Sequence, residues 1–418
     1  MLVSEQQEID RMRTPEEALT ILQAHTRRVP TEFVGLSSAH GRILAEDIIA
    51  TEPYPTFPAS TMDGYAVLAA DASPWREVLG TQNAGETTDL EVTEGYCLRI
   101  MTGAPLPPGA DAVVPVEATE LADDHVVIHQ EDVRVGQNVR PQGIDIAVGQ
   151  KLIGAGTRIG AAEIGLLASI GRTSISVSRM PRVSILSTGD ELVEPEETPG
   201  PGQIRDANRF TLAAMLASEP VEISWTGIAP DNREALEALL RERLASDDIV
   251  LTSGGVSMGE KDYIKAILFD AEDIHIHFRR LYMKPGKPFT FAQSETATIF
   301  GLPGNPVSAM ATFDVFVRPV IHQMVGAHQV GLPNVMVTLT EEALPADRVE
   351  YQRGIVSVTA SGELVAHANG DQRSSRLASY INANAYLVIA PREMPYLAGE
   401  SVEALLISPP ELTRDNHS

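Results

Sequence analysis

From Ile249 to Asp262 a short apolar run rich in β-branched residues ends at Ser253-Gly254-Gly255, and Tyr263–Leu268 then places apolar residues at helical spacing. The stretch reads as strand, loop and helix. Arg182–Ser187 and Ile223–Ile228 are further strand-length apolar runs, followed by the helical patterns Phe210–Leu216 and Arg233–Leu244. Ile299-Phe300 opens another strand, whose loop leads into the apolar segment Ala309–Val320. Alternating strands and helices predict a parallel sheet covered by helices on both faces over 182–328.

Elsewhere the pattern changes. Thr14-Pro15-Glu16-Glu17 before Ala18–Leu22 has the marks of a helix start: an N-cap, a proline in the first turn and acidic residues beside it. The prolines at 53, 55 and 58 form a stiff connector that cannot continue a helix or a central strand. Residues 51–149 carry short alternating runs between Gly and Pro clusters, which predicts a β-rich module. Ile159–Ala168 returns to helical spacing, so 1–50 plus 150–181 are read as one helical N-terminal domain into which that module is inserted. After Val325, short β-propense runs across 329–412 predict a C-terminal all-β barrel, followed by a polar tail at 413–418.

Length and composition narrow the function. The 418 residues, 43% hydrophobic, suffice for several cores, and no apolar run reaches membrane-spanning length. The polar start shows no hydrophobic segment of the signal-peptide kind, so a cytoplasmic location is expected. A single cysteine, Cys97, excludes an internal disulfide and is read as a buried small hydrophobe. A net charge of −25 argues against nucleic-acid binding and against adhesion to an anionic membrane.

The candidate chemistry nevertheless favours an anionic ligand. Adjacent glycines allow close backbone approach, and helix starts offer free amides, so Ser253-Gly254-Gly255 is a candidate phosphate cradle. A tight turn with Asp262 as an N-cap would show the same residues. Lys284-Pro285-Gly286-Lys287-Pro288 sets two ammonium groups on a rigid turn, and Pro303-Gly304-Asn305-Pro306 forms another loop at a strand end. Such loops converge at one edge of a parallel sheet. Arg279, Arg280, Lys284, Lys287, Arg353, Arg373 and Arg376 are candidates for a local positive pocket. Asp190 and Glu191 end the Arg182–Ser187 run and offer carboxylates suited to Mg²⁺, at most one of them an easy ligand. Asp63, Thr102 and Asp145 sit at tight bends, where turn formation alone would also account for them.

Together PASTMDGYAV (Pro58–Val67), TGAP (Thr102–Pro105), STGDEL (Ser187–Leu192), TSGGVSMGEKDY (Thr252–Tyr263), KPGKP (Lys284–Pro288) and GLPGNPVS (Gly301–Ser308) resemble the molybdopterin molybdenumtransferase family, the MoeA-like proteins and the gephyrin E domain. The resemblance covers nearly the whole chain. It implies a central α/β domain of the molybdopterin-binding type. It also implies a reaction, insertion of molybdate into adenylylated molybdopterin with Mg²⁺-dependent loss of AMP. The implied assembly is a homodimer whose sites lie between subunits, and transient contact with the adenylylating enzyme is a further expectation.

Site residues carried over by the resemblance are Asp63, Thr102, Asp145, Glu191, Asp231, Asp262, Lys284, Lys287, Arg353 and Ser374. Ser253, Gly254, Gly255, Ser257, Gly304, Asn305 and Pro306 would hold the pterin phosphate and nucleotide, while Pro303 and Ser308 would shape a molybdate pocket. Glu191 and Asp262 are the first candidates for Mg²⁺, with Asp63 and Asp145 behind them. Two departures from the family pattern stand out, Gln372-Arg373-Ser374-Ser375-Arg376 and Tyr282. Molybdopterin adenylylation and a non-catalytic dimeric scaffold that binds partner peptides are the alternative functions.

Overall fold

The structure is a computed structural model and describes residues 5–230, 232–254 and 263–412. A six-stranded sheet organises the α/β domain, in the spatial order Glu222–Ile228, Arg182–Ser187, Ile249–Ser253, Thr298–Leu302, Pro288–Gln293, His275–Arg280. The first four strands are parallel. Pro288–Gln293 and His275–Arg280 extend the sheet antiparallel, so it is mixed rather than wholly parallel. The βα spacing does not disclose them, because a hairpin needs no crossover helix to announce it.

Ile249–Ser253 is paired on both edges and buried at every position. This accounts for its unbroken apolar run, since a central parallel strand meets helices on both faces. Ile249 and Leu251 face a core shared with Val183, Ile185, Phe300 and Leu302; Val250 faces the opposite core, with Leu236, Leu240 and Ile264 of the covering helices.

Helix Pro15–His25 begins at Thr14, whose hydroxyl accepts from the Glu17 amide while the Glu17 carboxylate accepts from the Thr14 amide. Its buried stripe, Ala18 and Leu22, packs into the same core as Val183 and Ile185, so this helix docks onto the α/β domain. The helical period locates the stripe but not the surface it covers. Flanking the inserted module, Leu44 and Ile48 share a separate core with Ile153, Ile159, Leu167, Ile175 and Val177. Chain segments on either side of the insertion thus meet. Besides its helix Ala161–Ser169, this unit carries an antiparallel pair, Thr31–Gly35 with Ser174–Ser178.

The inserted module curls a six-stranded sheet around Cys97, which is fully buried and whose thiol burial pushes up to about 12. Within it, a Cβ on Gly64 would lie 2.1 Å from the Val114 carbonyl oxygen, so the Gly64–Val67 strand can pair there only with glycine. At the C-terminus, Val349–Val358 pairs with Leu364–Ala368, then Asn334–Leu339, Ser401–Leu406 and Ala385–Ile389, which pairs back onto Val349–Val358. The barrel is closed, which leaves no edge among these five strands.

Two stability predictions follow from this packing. Gly64→Ala forces the strand from Val114 and is expected to cost about 2–3 kcal/mol by thermal unfolding. His277, stacked on Phe291 at 4.6 Å and flanked by His25 and His275, has its imidazole pulled down to about 4 by burial and then by His25, with His275 and Arg27 adding and a bond to Gln293 opposing. A base that resists protonation only in the fold withdraws stability as pH falls from about 6.5 towards 4. His277→Asn is therefore expected to flatten the loss of Tm over that window; equal slopes for variant and wild type would refute the assignment.

Candidate active site

Register places the site. Ser187 pairs with Ser253 and Ser253 with Leu302, so three parallel strands end level and release their loops together. The Thr188 amide donates to the Ser253 carbonyl at 3.0 Å, and the Gly254 amide to the Leu302 carbonyl at 3.2 Å. Gly254 sits at φ +85°, where a Cβ would also come 2.5 Å from the Thr188 carbonyl oxygen. Gly304 faces it closely, so that a Cβ on Gly304 would lie 3.8 Å from the Gly254 Cα. Asn208, at the start of helix Asn208–Leu216, ties these two loops: its amide nitrogen donates to Ser253 Oγ at 2.6 Å and to the Gly304 carbonyl at 2.7 Å. No local signal in the sequence marks a side chain that bridges two distant loops.

The Lys284–Pro288 turn joins the same edge because Arg280 and Pro288 are antiparallel partners. Met283–Lys284 also pairs with Val349–Glu350 of the barrel, which stitches the turn to the C-terminal domain. Between the two domains lies a cavity of about 800 Å³, walled by Lys284, Lys287, Asn305 and Ser308 on one side and by Asp347, Arg348 and Asp371–Ser375 on the other. The Asn305 side chain reaches the Ser374 hydroxyl across it at 3.4 Å, and Ser308 is almost wholly buried.

Most cations on this wall are spent. Lys284 holds the buried Glu350 carboxylate at 2.9 Å, Arg348 pairs with Asp347 at 2.6 Å, and Arg373 and Arg376 share Asp371 at 2.6 and 3.5 Å. Lys287 is exposed and makes no ion pair among the described residues. Of the other predicted pocket cations, Arg279 pairs with Asp10 away from this wall. Tyr282 donates to the Asp347 carbonyl at 2.9 Å and lies under Arg348, so it shores up the rim.

Other candidate residues fall elsewhere. Arg353, expected to touch ligand, is fully buried: it donates to Ser379 Oγ and to the carbonyls of Asp371 and Arg373, positioning the loop that carries Ser374. Gln372 brackets the Arg353 backbone by accepting from its amide at 2.8 Å and donating to its carbonyl at 3.0 Å. Pro303 is buried behind Gly304 and Pro306 opens helix Pro306–Thr312. Asp63, Thr102 and Asp145 lie in the inserted module and do not line the cavity. Asp63 accepts from the Thr102 amide and hydroxyl, both at 2.8 Å, and the amide bond chiefly holds its carboxyl below the usual range. Asp145 is engaged by Arg140. Glu191 is exposed and folds back over Gly189 so that a Cβ there would meet its carboxylate at 2.6 Å, and that carboxylate has no hydrogen-bond or ion-pair partner among the described residues. Asp231, Gly255, Ser257 and Asp262 lie outside the described residues, among which no group of three His, Cys, Asp or Glu is placed to hold a metal.

Three family models match the chain. They are the MoeA N-terminal region (domain I and II) over residues 13–171, a probable molybdopterin binding domain over 184–323, and the MoeA C-terminal region (domain IV) over 336–407. A molybdopterin molybdenumtransferase of Haemophilus influenzae is 36% identical over 89% of this chain and 93% of its own. Gephyrin of Dictyostelium discoideum is also 36% identical, over 94% of this chain, which spans 62% of gephyrin's length. Among solved structures, a molybdopterin biosynthesis MoeA protein of Pyrococcus horikoshii superposes with a TM-score of 0.81 at 29% identity, covering 96% of this chain and all of that one.

The two lysines separate by experiment. Lys284→Gln strips the cation from buried Glu350 and is expected to lower stability by about 1–3 kcal/mol. Lys287→Gln removes an exposed, unpaired charge and is expected to leave Tm near wild type while weakening oxyanion binding about tenfold in calorimetric titration with molybdate. A Tm loss at Lys287 equal to that at Lys284 would overturn this division.

Proposed function

The chain belongs to the molybdopterin molybdenumtransferase family, transferases of molybdenum cofactor biosynthesis that insert molybdenum, and on that premise we propose that it inserts molybdate into adenylylated molybdopterin with release of AMP. The observation that carries this reading is the cavity, whose one unpaired cation among the described residues, Lys287, stands opposite a loop tied to the glycine-lined strand ends. Tetrahedral molybdate, a dianion, needs several short donors and positive charge, towards which Ser308, Asn305, Ser374 and Lys287 contribute. The Ser253-Gly254 and Gly304-Asn305 loops bring backbone close enough to take the pterin phosphate and nucleotide.

Mg²⁺ belongs to the proposal as well. Glu191 presents an unpartnered exposed carboxylate where the strands end, which fits an ion that takes one or two protein carboxylates and completes its shell with water and phosphate. Glu191 and, from the sequence, Asp262 would hold it, and the bound ion would neutralise phosphate charge as AMP departs. Lys287 stabilises the same charge from the cavity side, while Lys284, paired with Glu350, holds the turn that presents it.

Asp63, Thr102 and Asp145 are held in a module that does not reach this cavity, which supports a homodimer in which a second copy delivers them. Among the described residues no helix is long and apolar enough to cross a membrane, and the reading includes a cytoplasmic location and transient contact with the adenylylating enzyme.

The test is AMP release from adenylylated molybdopterin with Mg²⁺. Molybdate is expected to accelerate release by wild type, and Asp262→Ala to slow it on the order of a hundredfold. Consumption of ATP without molybdate would replace the reading with molybdopterin adenylylation. Absence of AMP under every condition, with partner capture unaffected by Asp262→Ala, would replace it with a scaffold.

A further inference from the structure

The cavity lies between two domains, so its width depends on whatever fixes their separation. On one rim the fixing is backbone pairing, Met283–Lys284 with Val349–Glu350. On the opposite rim the wall loop runs into the turn Leu377–Tyr380, and there the connection is made by side chains. The Tyr380 hydroxyl shares its one proton between two acceptors, the Tyr386 hydroxyl at 2.9 Å and the Val307 carbonyl at 3.2 Å, one residue before Ser308. Tyr386, on barrel strand Ala385–Ile389 and fully buried, donates to Asp314 Oδ2 at 2.8 Å.

Asp314 is itself fixed. It lies in a π-helical turn, Phe313–Val317, that continues the helix begun at Pro306, and its other oxygen accepts from Arg318 Nε at 3.0 Å and Nη2 at 2.8 Å. Arg318 also binds the buried Glu219, which receives the His322 Nε2 proton at 2.6 Å; His322 Nδ1 in turn accepts from the Gly331 amide. Each member is held by the next. A buried polar network is stabilising only when its members are satisfied, and then it specifies one relative placement of the elements it joins.

We infer that Tyr380 and Tyr386 are positioning residues: their hydroxyls clamp the barrel loop Asp371–Arg376 against the helix that carries Ser308, and so set the spacing of the donors that receive the oxyanion. The inference rests on the proposed insertase reading for its kinetic consequence, but not for its structural one. A tetrahedral oxyanion bridged between Asn305, Ser308 and Ser374 tolerates little widening, because hydrogen bonds weaken steeply beyond ordinary donor–acceptor distance. Neither tyrosine lines the cavity, so neither acts on substrate directly.

The experiment compares the full-length wild type with Tyr380→Phe and Tyr386→Phe, which keep the rings and remove one oxygen each. Both variants are expected to raise the KM for molybdate about fivefold with kcat within about twofold. Amide hydrogen exchange over 371–376 is expected to quicken about tenfold while that of the inserted module stays as in wild type. A lowered Tm accompanied by wild-type KM and wild-type exchange at 371–376 overturns the inference and leaves the tyrosines as ordinary packing. Should Tyr386→Phe fail to fold, Tyr380→Phe, whose ring is less enclosed, decides alone. If wild type releases no AMP, the insertase reading fails on that arm; unchanged exchange would overturn the clamp separately, and faster exchange would uphold it.

Discussion

The site depends first on a backbone constraint, the in-register parallel pairing of Arg182–Ser187, Ile249–Ser253 and Thr298–Leu302. Parallel hydrogen bonding with aligned ends leaves three loops departing from one level, and a slip of even one residue would move side chains to the other face of the sheet. The close approach of Gly254 and Gly304 then follows from geometry. Asn208 converts that approach into a fixed spacing by donating to both loops. Each later feature inherits this alignment, including the hairpin that returns the two lysines to the same edge.

The second constraint is electrostatic. A chain of net charge −25 repels an oxyanion at long range, so recognition has to be local and partly shielded. Paired cations on the wall, Arg348 with Asp347 and Arg373 with Asp371, contribute donors and shape without adding net charge. Lys287 has no ion pair among the described residues, which suits it to the proposed oxyanion. Lys284, which the sequence presents as its twin, has a largely structural partner in Glu350.

Much of this was legible beforehand, and the reasons differ by element. The central strand was readable because burial on both faces leaves a continuous apolar run, and helix Pro15–His25 because its cap is written in adjacent residues. The antiparallel extension of the sheet and the docking of that helix onto the α/β core were not, since both depend on partners remote in sequence. The same distinction runs through the site. Glycines and lysines announced loops; Asn208, Glu350, Asp371 and the tyrosines acquire meaning only when distant segments meet. Arg353 shows the converse, a residue marked for ligand contact whose guanidinium is wholly buried and turned to loop carbonyls.

Placing the cavity between domains rather than within one has a physical consequence. Within a close-packed core, spacing between donors is fixed by many van der Waals contacts, none of which decides it alone. Across a domain boundary the contacts are fewer, and individual hydrogen bonds carry more of the geometry. Glu350 on one rim and the Tyr380–Tyr386–Asp314 chain on the other are therefore not interchangeable with apolar packing, although apolar packing of equal volume could match them in stability. An apolar filling would hold the domains together while leaving their angle soft. Oriented bonds to Val307 and Asp314 hold the angle, and for the oxyanion proposed to bind here, a small, rigid tetrahedron, the angle is what binding would require.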